Sequence, residues 1–141
     1  MKLSTKPIII GFLLMLILSF PMGIVTIQLH DYFLNIHGLS YEDSKINQIY
    51  EILSRYYYHP YMLLLYIFSS IVTVSIPSFV AAYLSKSNRI LHGMMIGLLS
   101  VLLFLASIGS FDSIKFILLI ISIDITTALL GSTIGKRIGK I

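Results

Sequence analysis

Four blocks of apolar residues, each about 20 residues long, dominate the chain at 7–27, 61–84, 90–110 and 116–135. A helix that rises about 1.5 Å per residue needs about 20 residues to cross a hydrocarbon core of about 30 Å. The blocks do not alternate between apolar and polar residues, as the strands of a membrane barrel would. The pattern therefore predicts four transmembrane helices.

The composition is typical of a membrane protein and excludes an ordinary soluble domain. Of the 141 residues, 57% are hydrophobic and only 11% are charged, whereas a soluble domain has about 25% charged residues. The connections at 85–89 and 111–115 are so short that the helices they join must run antiparallel. We therefore predict an all-α fold, in which 1–141 is a single integral membrane domain that forms a four-helix transmembrane bundle.

The segment between the first two blocks predicts an additional, amphipathic helix. The spacing of Ser40 and Asp43 matches a helix-capping pattern, which favours a helix over about 41–58. Apolar residues recur at helical spacing at Ile46, Ile49, Leu53 and Tyr56. Because tyrosines are concentrated in this region and favour the membrane–water interface, we expect this outer helix to lie along the membrane surface. We favour a helix that caps the bundle over one that docks an extracytoplasmic partner.

Lysine and arginine residues are distributed unequally between the two sides of the predicted bundle. One side has seven of them and the other has three, Lys45, Arg55 and Lys115. Since loops rich in Lys and Arg remain in the cytoplasm, we predict a multi-pass protein of the cell (inner) membrane with both termini cytoplasmic. The basic residues are topology signals that can also contact anionic lipid head groups, and no nucleic-acid partner is expected.

Single cysteines can test this orientation, since the chain has none of its own. In intact cells, the Ser44→Cys variant should react with a membrane-impermeant thiol reagent. The Ser87→Cys variant should react only after the cells have been permeabilised. The opposite labelling pattern would reverse the predicted orientation.

Small residues recur at helical spacing in the last two blocks. Gly93 and Gly97 form a G-x-x-x-G pattern in the third, and Gly131 and Gly135 repeat that spacing in the fourth. Small residues allow membrane helices to approach one another closely. We therefore predict that these glycines pack the third membrane helix against the fourth within one chain, rather than forming a dimer face.

Asp124 is the one acidic residue inside a predicted membrane helix. It lies near mid-bilayer, where an ionisable side chain costs roughly 2.5–3.5 kcal/mol on insertion scales. No Lys or Arg lies within a span, but hydroxyl groups occur at similar depth, at Ser19, Ser69, Ser70, Thr73 and Ser100. Two interpretations follow. The first, which we favour, is a protonated aspartate that joins helices through hydrogen bonds, and the second is a proton or cation relay.

No sequence pattern indicates a catalytic or metal site. The chain lacks H-E-x-x-H, G-x-S-x-G and glycine-rich phosphate-loop motifs. The spacing of His30, His37 and His59 would not bring two of them to one zinc ion, and we expect His92 to lie at the membrane interface. We predict no enzymatic activity and no cofactor.

The second and third blocks resemble a helical hairpin of small bacterial four-span membrane proteins. In those proteins a helix ends in Gly-Gly-Tyr-x-Ala-small, a basic turn follows, and the next helix opens with Leu-His-Gly or Leu-His-Ala. The corresponding residues are Ser78-Phe79-Val80-Ala81-Ala82-Tyr83-Leu84 and Leu91-His92-Gly93. Ser78 and Phe79 replace the glycine pair. The resemblance implies a four-span fold in a bacterial membrane, and it implies no activity.

Two classes of function remain. We predict a non-enzymatic multi-pass membrane protein that packs with or modulates envelope proteins or lipids, with a membrane-protein partner or as a homo-oligomer. The alternative is a small transporter or other proton-coupled membrane protein that uses Asp124. The two classes differ in whether the carboxyl group is needed for chemistry or only for packing.

Overall fold

The computed structural model describes residues 4–40, 46–107 and 114–139, and every regular element in these ranges is helical. In chain order the helices are α1 (Thr5–Ile36), α2 (Ile46–Tyr56), α3 (Pro60–Leu84), α4 (Arg89–Ser107) and α5 (Ile114–Ile138). All of them except α2 are long and apolar enough to cross a membrane. This confirms the predicted all-α bundle of four membrane helices.

The helices form a bundle with two distinct ends. α5 packs against both α3 and α4, and α1 packs against α3 and α4. We call the end where α1 and α4 begin and α3 and α5 finish the basic end, and the opposite end the aromatic end. At the basic end, the backbone N–H of Ser4 donates to Nε2 of His92 at 3.1 Å, and Nη1 of Arg89 donates to the carbonyl of Lys136 at 3.4 Å.

α1 continues nine residues beyond the predicted end of the first span at residue 27. No glycine or proline in 28–36 interrupts it, and the chain leaves the helix only where Gly38 has a φ of 68°. A glycine in this left-handed conformation commonly ends a helix. At about 1.5 Å per residue, the 32 residues of α1 extend about 48 Å. α1 therefore either tilts or projects beyond the hydrocarbon at the aromatic end.

α2 folds back onto the aromatic end of the bundle and closes it. The buried cluster at this end consists of Phe33, Leu34, Ile49, Leu53, Tyr57, Met62 and Phe116. Tyr56 stacks on Phe33 and Tyr57 stacks on Phe116, each with ring centroids 4.2 Å apart. The buried side chains of α2 are thus covered within the chain itself. The predicted start of this helix near residue 41 lies outside the described residues.

The glycines of α4 lie where the backbone of this helix approaches α5 closely. A Cβ added at Gly97 would lie 2.5 Å from the Cβ of Ala128. At Gly93 an added Cβ would meet Ser132 of α5 and lie 2.6 Å from the carbonyl oxygen of Ser78 in α3. Only glycine allows the three backbones to approach this closely.

The glycines of α5 face a different helix from the predicted one. A Cβ added at Gly131 would meet the backbone of Ser75, and one added at Gly135 would lie 2.5 Å from the carbonyl oxygen of Phe79. Both partners belong to α3, which corrects the prediction that Gly131 and Gly135 pack against α4. Helical spacing shows which residues share a face, but it does not show which of two neighbouring helices that face contacts.

Candidate functional site

Asp124 lies near the middle of α5 with 6% of its surface exposed, and both of its carboxyl oxygens have hydrogen-bond partners. Ser70 Oγ of α3 is 2.7 Å from Oδ1, and Ser100 Oγ of α4 is 2.7 Å from Oδ2. The carboxyl group therefore joins three membrane helices. Because no water is present in the hydrocarbon to replace these bonds, they stabilise the contact between α3, α4 and α5.

A third hydroxyl group extends this network. Thr127 is also 6% exposed, and its Oγ1 lies 2.7 Å from Ser70 Oγ. The same hydroxyl lies 2.9 Å from the carbonyl oxygen of Ile123 and 3.1 Å from that of Asp124. We refer to Asp124, Ser70, Ser100 and Thr127 as the Asp124 cluster. Thr127 was not predicted from the sequence, although it lies three residues after Asp124 and thus on the same face of α5.

The Asp124 cluster can satisfy either protonation state of the carboxyl group without moving a heavy atom. When the carboxylate is ionised, Ser70 and Ser100 both donate to it and Thr127 donates to Ser70. When the acid is neutral, its O–H donates to Ser70, Ser70 donates to Thr127, and Thr127 donates to the carbonyl of Ile123. Hydroxyl groups both donate and accept, and they rotate to suit their partners. The hydrogen bonds of the cluster are therefore compatible with both protonation states of the carboxyl group.

A single π-helical turn at Ile71–Ser75 follows Ser70 within α3, between the α-helical segments Pro60–Ser70 and Ile76–Leu84. In this turn, the N–H of Ile76 donates to the carbonyl of Ile71, five residues earlier. Pro77 gives a physical reason for the turn, since proline has no N–H and clashes with the carbonyl four residues before it in a regular helix. π-Helical turns inside α-helices are frequent at functional sites.

A cavity of about 510 Å³ lies beside the Asp124 cluster, between α1, α3, α4 and α5. It extends to the aromatic end, where Tyr57 and Phe116 form part of its wall. Besides Tyr57 and Asp124, its polar lining residues are Ser19, His30, Tyr66, Ser69, Ser70, Thr73 and Ser100. None of its described lining residues is a lysine or arginine. The volume is within the range of about 300–1,000 Å³ that is typical of small-molecule sites.

The structure places the predicted polar residues in two different positions. Ser70 and Ser100 contact the carboxyl group, as described above. The hydroxyl of Thr73 instead donates to the carbonyl oxygen of Ser69 at 2.9 Å, within its own helix. Thr73 therefore belongs to the wall of the cavity and not to the Asp124 cluster.

His92 lies at the basic end of the bundle but is buried within the protein, which corrects the expectation that its side chain reaches out to the membrane interface. It has no exposed surface, and its Nδ1 lies 3.0 Å from both the carbonyl oxygen of Asn88 and the hydroxyl of Ser85. Because Nε2 accepts the hydrogen bond from the N–H of Ser4, the ring proton resides on Nδ1. His92 thus joins the start of α1 to the turn before α4. Among the described residues, no three metal-binding side chains come together.

Comparison with known proteins adds no family to this geometry. No protein-family model, curated protein or solved structure matches the chain. The resemblance to small bacterial four-span proteins therefore stays a prediction. The Asp124 cluster and the cavity beside it are the features of the chain that bear on its function.

Proposed function

We propose that this protein is a small proton-coupled membrane protein that binds a cation beside Asp124 and exchanges it for a proton. The observation that supports this most directly is a carboxyl group near the middle of α5, on the wall of a cavity that several other polar side chains also line. An aspartate needed only for packing would be enclosed by its partners, whereas Asp124 also borders a space of about 510 Å³. Ionisable residues at this depth commonly mark ion or substrate pathways.

Electrostatics favour a cation as the bound solute. A carboxylate in a medium of low dielectric constant is costly unless an opposite charge lies beside it. Since no Lys or Arg belongs to the described cavity wall, a bound cation would supply that charge. Binding of one monovalent cation releases one proton from Asp124, so the site is electrically neutral in both states.

The cavity wall also favours an organic cation. Its aromatic side chains are Tyr57, Tyr66, Phe104 and Phe116. Aromatic faces attract cations, most strongly where water is excluded. With both termini in the cytoplasm, as we predict, the cavity extends toward the outer side of the membrane.

The packing role that the sequence favoured is the competing hypothesis. It is supported by the hydrogen bonds from Asp124 to Ser70 and Ser100, which would join α5 to α3 and α4 even if no proton were exchanged. Under this hypothesis, the protein is non-enzymatic and packs with or modulates envelope proteins or lipids.

Exchange in reconstituted vesicles separates the two hypotheses. Vesicles that contain the protein and a trapped pH indicator should become more alkaline inside when ethidium or sodium is added outside, because protons leave as the cation enters. Asp124→Asn keeps the shape of the side chain and one acceptor oxygen but removes the ionisable group, so it should abolish the exchange. The control is Glu51→Gln, which removes an exposed carboxylate that pairs with Arg55 at 2.6 Å, and it should exchange at the wild-type rate.

Two results would contradict the proposal. One is exchange by Asp124→Asn at the wild-type rate. The other is no exchange by folded wild-type protein, above vesicles without protein, for either cation. The second result would leave packing as the role of Asp124.

A further inference from the structure

We infer that the basic end of the bundle contains a binding site for the phosphate of an anionic phospholipid, separate from the Asp124 cluster. A cavity of about 770 Å³ opens there, and we refer to it as the basic pocket. The turn 86–88, the first residues of α4 and Lys136 of α5 line it. Three of its lining residues are cationic: Lys86, Arg89 and Lys136.

The turn between α3 and α4 brings these cations together. Asn88 makes the turn tight by adopting a φ of 49°, in the left-handed region that asparagine tolerates better than most residues. Nε of Arg89 donates to the carbonyl of Ser85 at 2.8 Å, and Nη1 donates to the carbonyl of Lys136 at 3.4 Å. These bonds use two of the five N–H donors of the guanidinium group. The group is therefore held in place with donors left for the oxygens of a phosphate.

None of the described residues that line the basic pocket is acidic. All six acidic residues of the chain lie elsewhere in the sequence, four of them within 31–51 and the others at 112 and 124. An adjoining cavity of about 430 Å³ shares Lys86 with the basic pocket and adds Lys6, and none of its described lining residues is acidic. Four cations at one end of a membrane bundle, with no acidic residue among the described lining residues of either cavity, favour an anionic ligand.

The remaining lining residues favour a lipid over free phosphate. Ile90, Leu91 and Met94 continue the wall of the basic pocket along α4. The cations lie where the membrane helices begin or end, which is the level of lipid head groups. An anionic phospholipid offers a phosphate to the cations and an acyl chain to the apolar wall, and basic pockets between membrane helices bind such head groups.

Thermal unfolding in detergent can test the site. Phosphatidylglycerol added to the micelles should raise the Tm of the wild-type protein by about 4 °C or more, since a ligand that binds only the folded state stabilises it. Phosphatidylcholine, which has a phosphate but no net charge, should have a much smaller effect. Inorganic phosphate should have little effect, because it lacks the acyl chain.

A double variant identifies the residues responsible. Lys86→Gln combined with Lys136→Gln leaves both hydrogen bonds of Arg89 intact, because these go to backbone carbonyls. At about 1 kcal/mol for each basic residue near an anionic lipid, this variant should bind phosphatidylglycerol about thirtyfold more weakly and lose most of the Tm shift. The control Arg55→Gln removes an exposed cation at the other end of the bundle and should retain the shift.

Three results would overturn the inference. The first is a phosphatidylglycerol shift that the double variant retains in full. The second is an equal shift with phosphatidylcholine. The third is an equal shift with inorganic phosphate alone, which would identify a soluble anion as the ligand. Because these measurements compare Tm with and without lipid, a general loss of stability in a variant does not affect them, and neither does failure of cation exchange at Asp124.

Discussion

Replacing Gly131 with leucine is expected to push α5 away from α3 and to lower the Tm of the protein in detergent. An added Cβ would meet the backbone of Ser75, with the carbonyl carbon at 2.9 Å, and backbone atoms cannot rotate away as the end of a side chain can. Overpacking of this kind costs about 1–3 kcal/mol and occasionally more. We therefore expect a decrease in Tm of about 4 °C or more.

The chain offers a matched control for this substitution. Gly23 lies in α1, and a Cβ added there would meet nothing within 4 Å. Gly23→Leu makes the same chemical change and improves helix propensity by up to about 1 kcal/mol, so its Tm should be unchanged or slightly higher. Gly97→Leu should behave like the Gly131 variant, whereas Leu103→Phe, at a side chain that is 46% exposed, should have little effect. Equal Tm values for all four variants would contradict the close helix contacts.

Replacing Asp124 with leucine should also destabilise the bundle, for a different reason. The hydroxyl of Ser100 would lose its acceptor, and that of Ser70 would keep only Thr127. A buried polar group left without a partner costs about 1–3 kcal/mol. Asp124→Asn keeps one acceptor oxygen and adds an amide that can donate to Ser70, so its free energy of unfolding should stay close to the wild-type value. The free energy of unfolding of both variants can be measured in mixed micelles.

This pair of variants tests the geometry independently of cation exchange. A stable Asp124→Leu variant would mean that the contacts of the carboxyl group with α3 and α4 do not form in the membrane. An Asp124→Asn variant as unstable as Asp124→Leu would mean that the ionised carboxylate itself, rather than its hydrogen-bonding shape, holds the helices together. If the Asp124→Asn variant is stable, a loss of cation exchange in that variant cannot be attributed to unfolding.

The four membrane helices could be predicted because the length of an apolar block and the thickness of a bilayer are directly related. The depth of Asp124 followed from the same reasoning, and so did the group of hydroxyls at that depth. Which hydroxyls contact the carboxyl group could not be predicted. In a regular α-helix, Ser70 and Thr73 would lie on neighbouring parts of one face, but the π-helical turn at Ile71–Ser75 intervenes and Thr73 bonds to its own helix.

The arrangement of the helices around α5 could also not be predicted from the sequence. Regular spacing placed Gly131 and Gly135 on one face of α5, but α3 and α4 both pack against α5, and either could have contacted that face. The burial of His92 could not be predicted for the same reason. It depends on the start of α1, where Ser4, 88 residues earlier in the chain, donates a hydrogen bond to the ring. Contacts between distant segments depend on tertiary packing, which local patterns do not encode.

The stack between Tyr57 and Phe116 has a consequence for biosynthesis. Phe116 lies at the start of α5, the last of the described helices to be synthesised. The other residues of the buried cluster at the aromatic end come from α1, α3 and the region of α2. A nascent chain that has inserted only the earlier helices therefore leaves uncovered the face of Tyr57 that stacks on Phe116 in the complete bundle. The buried cluster at the aromatic end is complete only when α5 has packed, and exposed apolar surface of this kind favours association with other proteins.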